Sequence, residues 1–154
     1  MGVIMKSLRV IMIAVLVSIL GINVATARHH GEGGMRDWVT RDGLMHLISA
    51  QRGILQNIAK EGSAEDAAEF IRAANALSAL LGTIPSAFEK NSRPDITRAK
   101  PEIWSDWDNF VAVANAQSIV AASIATTAMT QGLDAAKAKV GELDCGSCHT
   151  PYRN

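Results

Sequence analysis

A C-x-x-C-H sequence from Cys145 to His149 places two thiols and an imidazole within about one helical turn, near the C-terminal end of the 154-residue chain. Two thiols at this spacing can each add to a vinyl group of haem, and the adjacent imidazole can then coordinate the iron. The sequence therefore predicts one covalent haem c, held through Cys145 and Cys148, with His149 as an axial ligand. Any fold of this chain must leave a slot for a flat cofactor beside these residues.

The two cysteines fit three other kinds of site less well. A thioredoxin-like redox pair needs a βαβ context, whereas this pair ends an α-rich chain. A zinc site needs four ligands, and the remaining histidines, His29, His30 and His46, do not have finger-like spacing. A disulfide across two intervening residues is strained and would leave His149 without a role. Haem attachment is therefore the prediction for this sequence.

The N-terminal residues have the pattern of an export signal. Lys6 and Arg9 precede an apolar run over residues 10–22, and the Ala-Thr-Ala sequence at 25–27 predicts cleavage after Ala27. The alternative is a membrane anchor, but the apolar run is shorter than the roughly 20 residues that span a bilayer. Because covalent haem attachment takes place outside the bacterial inner membrane, the two signals agree. They predict a periplasmic protein with no stable membrane anchor.

Cleavage at this site would leave residues 28–154, which is enough for one domain. Loss of Lys6 and Arg9 leaves 13 basic and 15 acidic residues, a net charge of −2 with the histidines neutral. The mature chain contains no basic tract, which argues against nucleic acid as a partner. Residues 28–36, rich in glycine and histidine, are predicted to be a flexible leader, and residues 37–154 the haem domain.

Helical periodicity begins at Asp37. In the first helix, positions at steps of three and four residues form a seam typical of an antiparallel bundle. The seam comprises Trp38, Arg41, Met45, Ile48, Arg52, Leu55 and Ala59. Gly62 and Ser63 end this helix, and Ser63 with Asp66 predicts the N-cap of a second helix, which ends at Gly82–Pro85. The inner face of the second helix comprises Ala67, Phe70 or Ile71, Ala74, Leu77 and Leu81.

Two further helices are predicted after a long connection over residues 83–100. Pro101 begins the third helix. Its inner face comprises Trp104, Trp107 or Asp108, Val111, Ala114, Ser118, Ala121, Ile124 and Met129. A break near Gly132 precedes a fourth helix, through Leu133, Ala136, Val140 and Leu143, into the haem sequence. The sequence thus predicts an all-α fold, an antiparallel four-helix bundle with covalently bound haem.

Three segments give the chain a resemblance to class II c-type cytochromes, the group that includes cytochrome c prime and its methionine-ligated low-spin relatives. The segments are Arg41-Asp42-Gly43-Leu44-Met45, Lys100-Pro101-Glu102-Ile103-Trp104, and Cys145 to His149 followed by Tyr152-Arg153. In this class the haem sequence lies near the C-terminus of a four-helix bundle. The resemblance extends from about Trp38 to Arg153.

The resemblance implies a role for each matched residue around the iron. His149 would be the proximal ligand, Cys145 and Cys148 the thioether anchors, and Met45 the residue at the distal position. In one branch of the class a methionine at this position ligates the iron and gives a low-spin electron carrier. In the other branch the iron is five-coordinate and binds nitric oxide or carbon monoxide. Ligation by Met45 is the prediction, and core packing by its adaptable thioether is the alternative.

Two arginines are further cofactor-binding candidates by resemblance. Arg41, one turn before Met45, would meet a haem propionate, and Arg153 would lie beside the His149 ring. The alternatives are a solvated helix arginine and a charge that interacts with a helix C-terminus. Pro151 departs from the pattern of the class and is expected to end or kink the helix directly after His149.

The resemblance supports two functions, electron transfer with a redox partner protein or the binding of small gases. Peroxidase chemistry would need a distal acid-base group, and only His46 is near Met45 in sequence, about 100° around the helix from it. No enzyme is therefore predicted. Members of the class often pair through their first two helices, and Ile54 and Ile58 are the exposed apolar positions that would suit such a homodimer.

Overall fold

The computed structural model describes residues 33–154, in which helices are the only regular secondary structure. Residues Asp37–Asn154 form one compact unit, and an isolated antiparallel bridge joins Ala99 to Arg153. The predicted export signal, residues 1–27, lies outside the described residues, as do residues 28–32 of the predicted leader. Residues 33–36 of that leader are helical, so the first helix begins before the predicted Asp37.

Four helical arms make up the unit, and the prediction of an all-α four-helix bundle is confirmed. The first three arms are α1 (residues 33–61), α2 (Ala67–Gly82, preceded by a 3₁₀ turn at Ala64–Asp66) and α5 (Trp107–Gln131). The fourth arm consists of α6 (Leu133–Lys139), a 3₁₀ turn at Val140–Glu142, and α7 (Gly146–Tyr152). The connection between α2 and α5 contains two short helices, α3 (Ile84–Phe88) and α4 (Glu102–Ser105).

Small residues bring α2 and α5 together at the centre of the bundle. Ala74 and Ala121 are fully buried there. The hydroxyl of Ser78 donates to the carbonyl of Ser118 at 2.9 Å, and the hydroxyl of Ser118 donates to the carbonyl of Ser78 at 2.9 Å. Because each hydroxyl satisfies its hydrogen bond across the interface, two polar side chains can lie between closely packed helices without an unpaired group.

The predicted inner face of α1 is confirmed, with one addition. Arg41, Ile48 and Leu55 are buried, and Met45 is partly buried. Ile54 and Ile58 were both expected to be exposed, but Ile54 is partly buried against the core and Ile58 is only 8% exposed. Ile58 follows Leu55 by three residues and therefore lies on the same buried face of the helix. Ile58 is part of the core and is not available to a second copy of the chain.

The predicted boundary between α1 and α2 is also confirmed. The N–H of Gly62 donates to the carbonyl of Ile58 at 2.8 Å, and a Cβ at position 62 would lie 2.6 Å from Cγ2 of Ile58. Only glycine fits this close approach. One residue later, the N–H of Ser63 donates to the carboxylate of Asp66 at 2.7 Å, which satisfies a donor at the start of the next helical segment.

The connection after α2 contains a helix that the sequence analysis missed. Gly82 ends α2 as predicted, but Pro85 lies in the first turn of α3 and does not terminate a helix. A proline in the first turn costs no hydrogen bond, because the N–H groups there have no partner within the helix. Pro85 was interpreted as a helix terminator, whereas its position corresponds to a helix start.

The predicted third helix is divided at Asp106, where φ of −124° and ψ of 44° interrupt the helical backbone between α4 and α5. Phe110 is buried on α5, although the predicted inner face did not include it. At the other end, Met129 is 59% exposed and Ala128 is buried, so the prediction for Met129 is wrong. Ala128 follows Ile124 by four residues and therefore lies on the same inner face of the helix. Met129 follows Ile124 by five residues and therefore lies on a different face.

The fourth arm is broken into segments and is not the continuous helix that was predicted. Gly132 begins the arm with φ of +90°, a conformation that favours glycine. The predicted inner residues Leu133, Ala136 and Leu143 are buried, but the backbone is extended at Leu143, where ψ is 102°. The extended backbone at Leu143 changes the direction of the chain, so that α7 starts as a separate helix. Helix α7 carries the haem sequence.

Pro151 does not end α7, contrary to expectation. The helix continues through Tyr152, and the N–H of Arg153 still donates to the carbonyl of His149 at 3.1 Å. Only the hydrogen bond that residue 151 would have donated is missing. Because α7 ends one residue after Pro151, the proline interrupts very little helix.

Helix α5 is the one helix within residues 33–154 that is long and apolar enough to cross a membrane by length and composition alone. The central helix of a bundle passes the same test. The inner face of α5, which includes Ala114, Ala121 and Ile124, is buried in the hydrophobic core.

Candidate haem site

A cavity of about 440 Å³ lies among α1, α2, α5 and α7. Apolar side chains form much of its wall, among them Met45, Ile48, Leu77, Leu81, Phe110 and Ala114. Cys145, Cys148 and His149 line the same cavity. A mostly apolar cavity of this size that contains a few polar groups is typical of a cofactor site.

The start of α7 is held in place by Asp144. Its carboxylate Oδ1 accepts hydrogen bonds from the N–H groups of Gly146 at 2.9 Å and Ser147 at 3.2 Å. The N–H of Asp144 itself donates to the side-chain oxygen of Gln117 on α5, at 2.9 Å. The helix that carries Cys148 and His149 is therefore capped at its first turn and tied to α5.

Both cysteines are free and partly buried. Burial raises the pKa of the Cys148 thiol, and the nearby Cys145 and Asp144 act in the same direction, whereas a hydrogen bond with Ser147 opposes them. Among residues 33–154, no group of three or more His, Cys, Asp or Glu side chains could hold a metal ion. The structure therefore places two free thiols at the cavity.

His149 lies at the edge of the cavity. Burial lowers the pKa of its imidazole, and the positive charges of Arg153 and Arg98 lower it further. All three causes favour the neutral ring, which is the form that coordinates a metal. The prediction that Arg153 lies near His149 thus agrees with the electrostatics, and Arg153 also lines the cavity.

Tyr152 is an important residue that the sequence analysis did not assign. Its side chain is 3% exposed, and its hydroxyl donates to the carboxylate of Asp106 at 2.7 Å and accepts from the amide of Asn109 at 2.9 Å. The ring packs edge-on against Phe110, with 5.2 Å between centroids. These contacts fix α7 to the junction of α4 and α5. The sequence did contain a signal for this role: Tyr152 follows His149 by three residues and so lies about one helical turn away from it.

Helix α1 forms another part of the cavity wall. Met45 and Trp38 both line the cavity. The next residue, His46, has a side chain that is 81% exposed and lies 3.5 Å from the carboxylate of Asp42. His46 is therefore a surface residue, as expected from its position about 100° around the helix from Met45.

Arg41 is the most constrained polar side chain of α1. It is only 4% exposed. Its Nε, Nη1 and Nη2 atoms donate to the carbonyls of Ala87, Ser92 and Lys90 at 2.8, 2.7 and 2.6 Å. The guanidinium also lies over the ring of Phe88, 4.7 Å from its centroid. Burial lowers the pKa of Arg41, and the carboxylate of Asp37 partly restores it.

These contacts mean that Arg41 organises the segment that follows α3. A guanidinium has five N–H donors, and the three carbonyls use three of them. Arg41 also lines the cavity, so its predicted contact with a haem propionate would have to use the remaining donors. Sequence periodicity placed Arg41 on the inner face but could not show its partners, because they lie 46 to 51 residues away along the chain.

Replacement of Arg41 by alanine is expected to lower the free energy of unfolding by about 3 kcal/mol, because buried carbonyls lose charged donors. Urea unfolding of the haem-loaded protein, followed by circular dichroism, measures this change. Arg72→Ala is the matched control, since Arg72 is exposed on α2 and its loss should cost little. Equal midpoints for the two variants would show that the Arg41 contacts contribute nothing to stability.

Comparison with known proteins places this geometry in a family. The model of the family described as Cytochrome C′ matches residues 38–153. The chain belongs to the cytochrome c′ family. It is 36% identical over 119 residues to cytochrome c-554 of Cereibacter sphaeroides, covering 73% of this chain and 77% of that protein.

Solved structures agree with the family assignment. The chain superposes on cytochrome c′ from Rhodobacter spheriodes with a TM-score of 0.64 and 30% identity, covering 78% of this chain and 96% of that one. It also superposes on the nitric oxide complex of a variant of cytochrome c prime from Alcaligenes xylosoxidans. There the TM-score is 0.65 and the identity 25%, covering 79% of this chain and 96% of that one. The predicted resemblance to class II c-type cytochromes is confirmed.

The residues at the cavity fit the haem of this family. Free thiols at positions 145 and 148 are the groups that would attach haem c, and the imidazole at position 149, whose environment favours the neutral ring, is the group that would coordinate its iron. The apolar wall suits the flat macrocycle, and the cations Arg52, Arg98 and Arg153 that line the cavity suit its carboxylates. The chain's own chemistry therefore agrees with the cofactor that its family implies.

Proposed function

We propose that this protein is an exported one-electron carrier, with haem c attached through Cys145 and Cys148, His149 as the proximal ligand and Met45 as the distal ligand. The observation that carries the proposal is the convergence of all four side chains on one cavity. Met45 comes from α1 and the other three from the region of α7, which is separated from α1 by almost the whole chain. Their arrangement supports coordination from two different elements of the bundle.

Attachment would use the thiols in their protonated form. Cys145 and Cys148 would each supply a sulfur and a proton to one vinyl group of haem, so attachment would need no oxidant. Burial raises the pKa of the Cys148 thiol and so favours this protonated form. The bonds of Asp144 to Gly146 and Ser147 hold the turn between the cysteines before attachment.

When bound, haem supplies reversible exchange of one electron at its iron. The contribution of the chain is to hold both sides of the cofactor without rearrangement. Asp144 and Tyr152 fix α7 to α5 at its two ends, and Arg41 fixes α1 to the segment after α3. Ligand residues on rigidly held helices keep the same positions in both oxidation states, which favours fast electron exchange.

The alternative function is binding of nitric oxide or carbon monoxide at an iron without a distal ligand. The specific support is that a solved relative, a variant of cytochrome c prime from Alcaligenes xylosoxidans, is a nitric oxide complex. In this case Met45 would only pack against the cofactor. Peroxidase activity has less support, because His46 is directed to Asp42 at the surface and is absent from the residues that line the cavity.

The spectrum of the haem-loaded protein tests the choice between these functions. We expect low-spin spectra in both oxidation states and slow binding of carbon monoxide to the reduced protein, because Met45 must leave the iron before the gas can bind. Stopped-flow absorption after mixing with carbon monoxide measures the rate. A high-spin spectrum with immediate carbon monoxide binding would contradict the electron-carrier proposal and support the gas-binding function.

The proposed location is the periplasm, after removal of residues 1–27. Members of the cytochrome c′ family are typically periplasmic, and the charged, apolar and Ala-Thr-Ala pattern of residues 6–27 supports export. The mass of the protein recovered from the periplasm tests this proposal, since cleavage after Ala27 leaves a chain that begins at Arg28.

A further inference from the structure

The segment after α3 and the C-terminal residues of the chain are joined by backbone hydrogen bonds. The N–H of Lys100 donates to the carbonyl of Tyr152 at 3.0 Å, and the N–H of Asn154 donates to the carbonyl of Arg98 at 2.9 Å. The isolated bridge between Ala99 and Arg153 lies between these two bonds. This pairing brings together cations that are more than 50 residues apart in sequence.

Four cations lie on these two paired segments, and we name them the basic surface: Arg93, Arg98, Lys100 and Arg153. The Nε atom of Arg93 donates to the carbonyl of Ala99 at 3.2 Å, and the Nζ atom of Lys100 donates to the carbonyl of Thr150 at 3.2 Å. Within residues 33–154, none of the ion pairs shorter than 4.0 Å involves any of these four cations. Arg93 and Lys100, which are absent from the cavity lining, therefore keep their positive charges available to a partner when haem is bound.

The charge of this surface contrasts with the remainder of the described chain. Residues 33–154 carry 12 basic and 14 acidic side chains, a net charge of −2. The segment 89–100 together with Arg153 contains five basic and two acidic residues, a net charge of +3. The other described residues therefore sum to −5. Such a local excess of positive charge on a negative protein steers and orients an oppositely charged partner.

The basic surface also lies at the edge of the haem cavity. Arg98 and Arg153 line the cavity, and both lower the pKa of the His149 ring. Ile96, in the middle of the basic segment, lines the cavity and is 53% exposed. An exposed apolar side chain among cations, beside a cofactor site, has the composition of a small protein interface with a charged rim.

From this geometry we infer that the basic surface, with Ile96 at its centre, docks an acidic redox partner protein. The inference rests on the proposed electron-carrier function. Charge complementarity favours an acidic partner, and the position beside the cavity would bring that partner close to the haem. A lipid surface fits less well, because Ile96 is the only large apolar side chain of the segment 89–100 that is strongly exposed.

Binding of a small acidic blue-copper protein to the reduced, haem-loaded chain tests the inference. We expect chemical-shift changes confined mainly to the amides of residues 93–100 and 152–154, and an affinity that falls as salt is added. The double variant Arg93→Gln/Lys100→Gln, which leaves the residues that line the cavity unchanged, should bind about fivefold more weakly. Lys60→Gln/Arg72→Gln removes the same charge from two exposed positions elsewhere on the chain and should change the affinity much less.

Oxidation of the reduced protein by hexacyanoferrate(III), which takes up one electron to give hexacyanoferrate(II), gives a second readout. If the anion approaches over the basic surface, the rate constant should fall as salt is added, although the whole protein is negative. A rate constant that rises with salt, or shift changes on another face, would overturn the inference and leave electron transfer intact.

Co-sedimentation with phosphatidylglycerol vesicles separates a lipid surface from a protein partner. We expect no binding of the wild-type chain to the vesicles. If the wild-type chain binds them and Arg93→Gln/Lys100→Gln does not, the basic surface docks a membrane and the inference of a protein partner is wrong. A high-spin, gas-binding spectrum would refute the proposed function itself. The chemical-shift changes are measured independently of the haem spectrum. A failure of the docking inference can therefore be distinguished from a failure of the proposed electron-carrier function.

Discussion

The double variant Cys145→Ser/Cys148→Ser is expected to carry no haem after denaturation. Each serine hydroxyl replaces the thiol that would form a thioether bond, and no other cysteine exists in the chain. Expression with a working haem-attachment system, followed by denaturing electrophoresis and haem staining, measures the loss. We expect complete loss of the stained band, together with a strongly reduced yield of folded protein, because the empty cavity removes apolar contacts from the core.

Two controls separate attachment from folding. Ser147→Ala lies between the cysteines and removes one local hydrogen bond to the carbonyl of Asp144, but it leaves both thiols in place. It should retain covalent haem. The single variants Cys145→Ser and Cys148→Ser should each retain one thioether bond or be unstable. A double variant that kept its stained band would contradict attachment at this pair and would leave the function of the two thiols unexplained.

The main helices could be predicted from sequence because their determinants are local. Arg41, Ile48 and Leu55 repeat with the helical period, and they are buried as predicted. The N-cap pair of Ser63 and Asp66 is likewise a contact across three residues. Such patterns depend on side-chain spacing along one helix, which the sequence shows directly.

The break near Gly132 was predicted, but the break at Asp106 and the path of the segment after α3 were not, because their causes lie far away in sequence. The break at Asp106 is accompanied by the bond to the hydroxyl of Tyr152, 46 residues later. The segment after α3 is held by Arg41, about 50 residues earlier. No local period contains these partners. Proline was a second source of error, because Pro85 was expected to terminate a helix and Pro151 to end or kink one, and neither ends its helix.

The candidate site was predicted in its residue types and order, and the structure adds the arrangement. The C-x-x-C-H sequence could be identified from five consecutive residues, and the cavity brings Met45 beside them. A thioether at this position can bind the iron or pack against the cofactor. The distinction between electron transfer and gas binding therefore depends on substitution of Met45.

Met45→Ala is expected to convert the iron site from low-spin to high-spin and to raise the rate of carbon monoxide binding to the reduced protein at least tenfold. The thioether is the proposed distal ligand, and alanine offers no donor atom. The weak charge-transfer absorption that methionine-ligated ferric haems show at the red end of the visible spectrum should be present in the wild type and absent in the variant. The reduction potential should fall, because thioether ligation raises it.

Met45→Leu distinguishes ligation from packing, because leucine fills a similar volume without a donor atom. If Met45 ligates the iron, Met45→Leu should be high-spin and bind carbon monoxide as fast as Met45→Ala. If Met45 only packs against the cofactor, Met45→Leu should resemble the wild type, and only the alanine variant should bind the gas faster, through the space that it opens. His46→Ala, one residue away and exposed, should leave the spectrum unchanged. The ligand assignment therefore rests on the leucine variant, because cavity formation by itself cannot produce its expected spectrum.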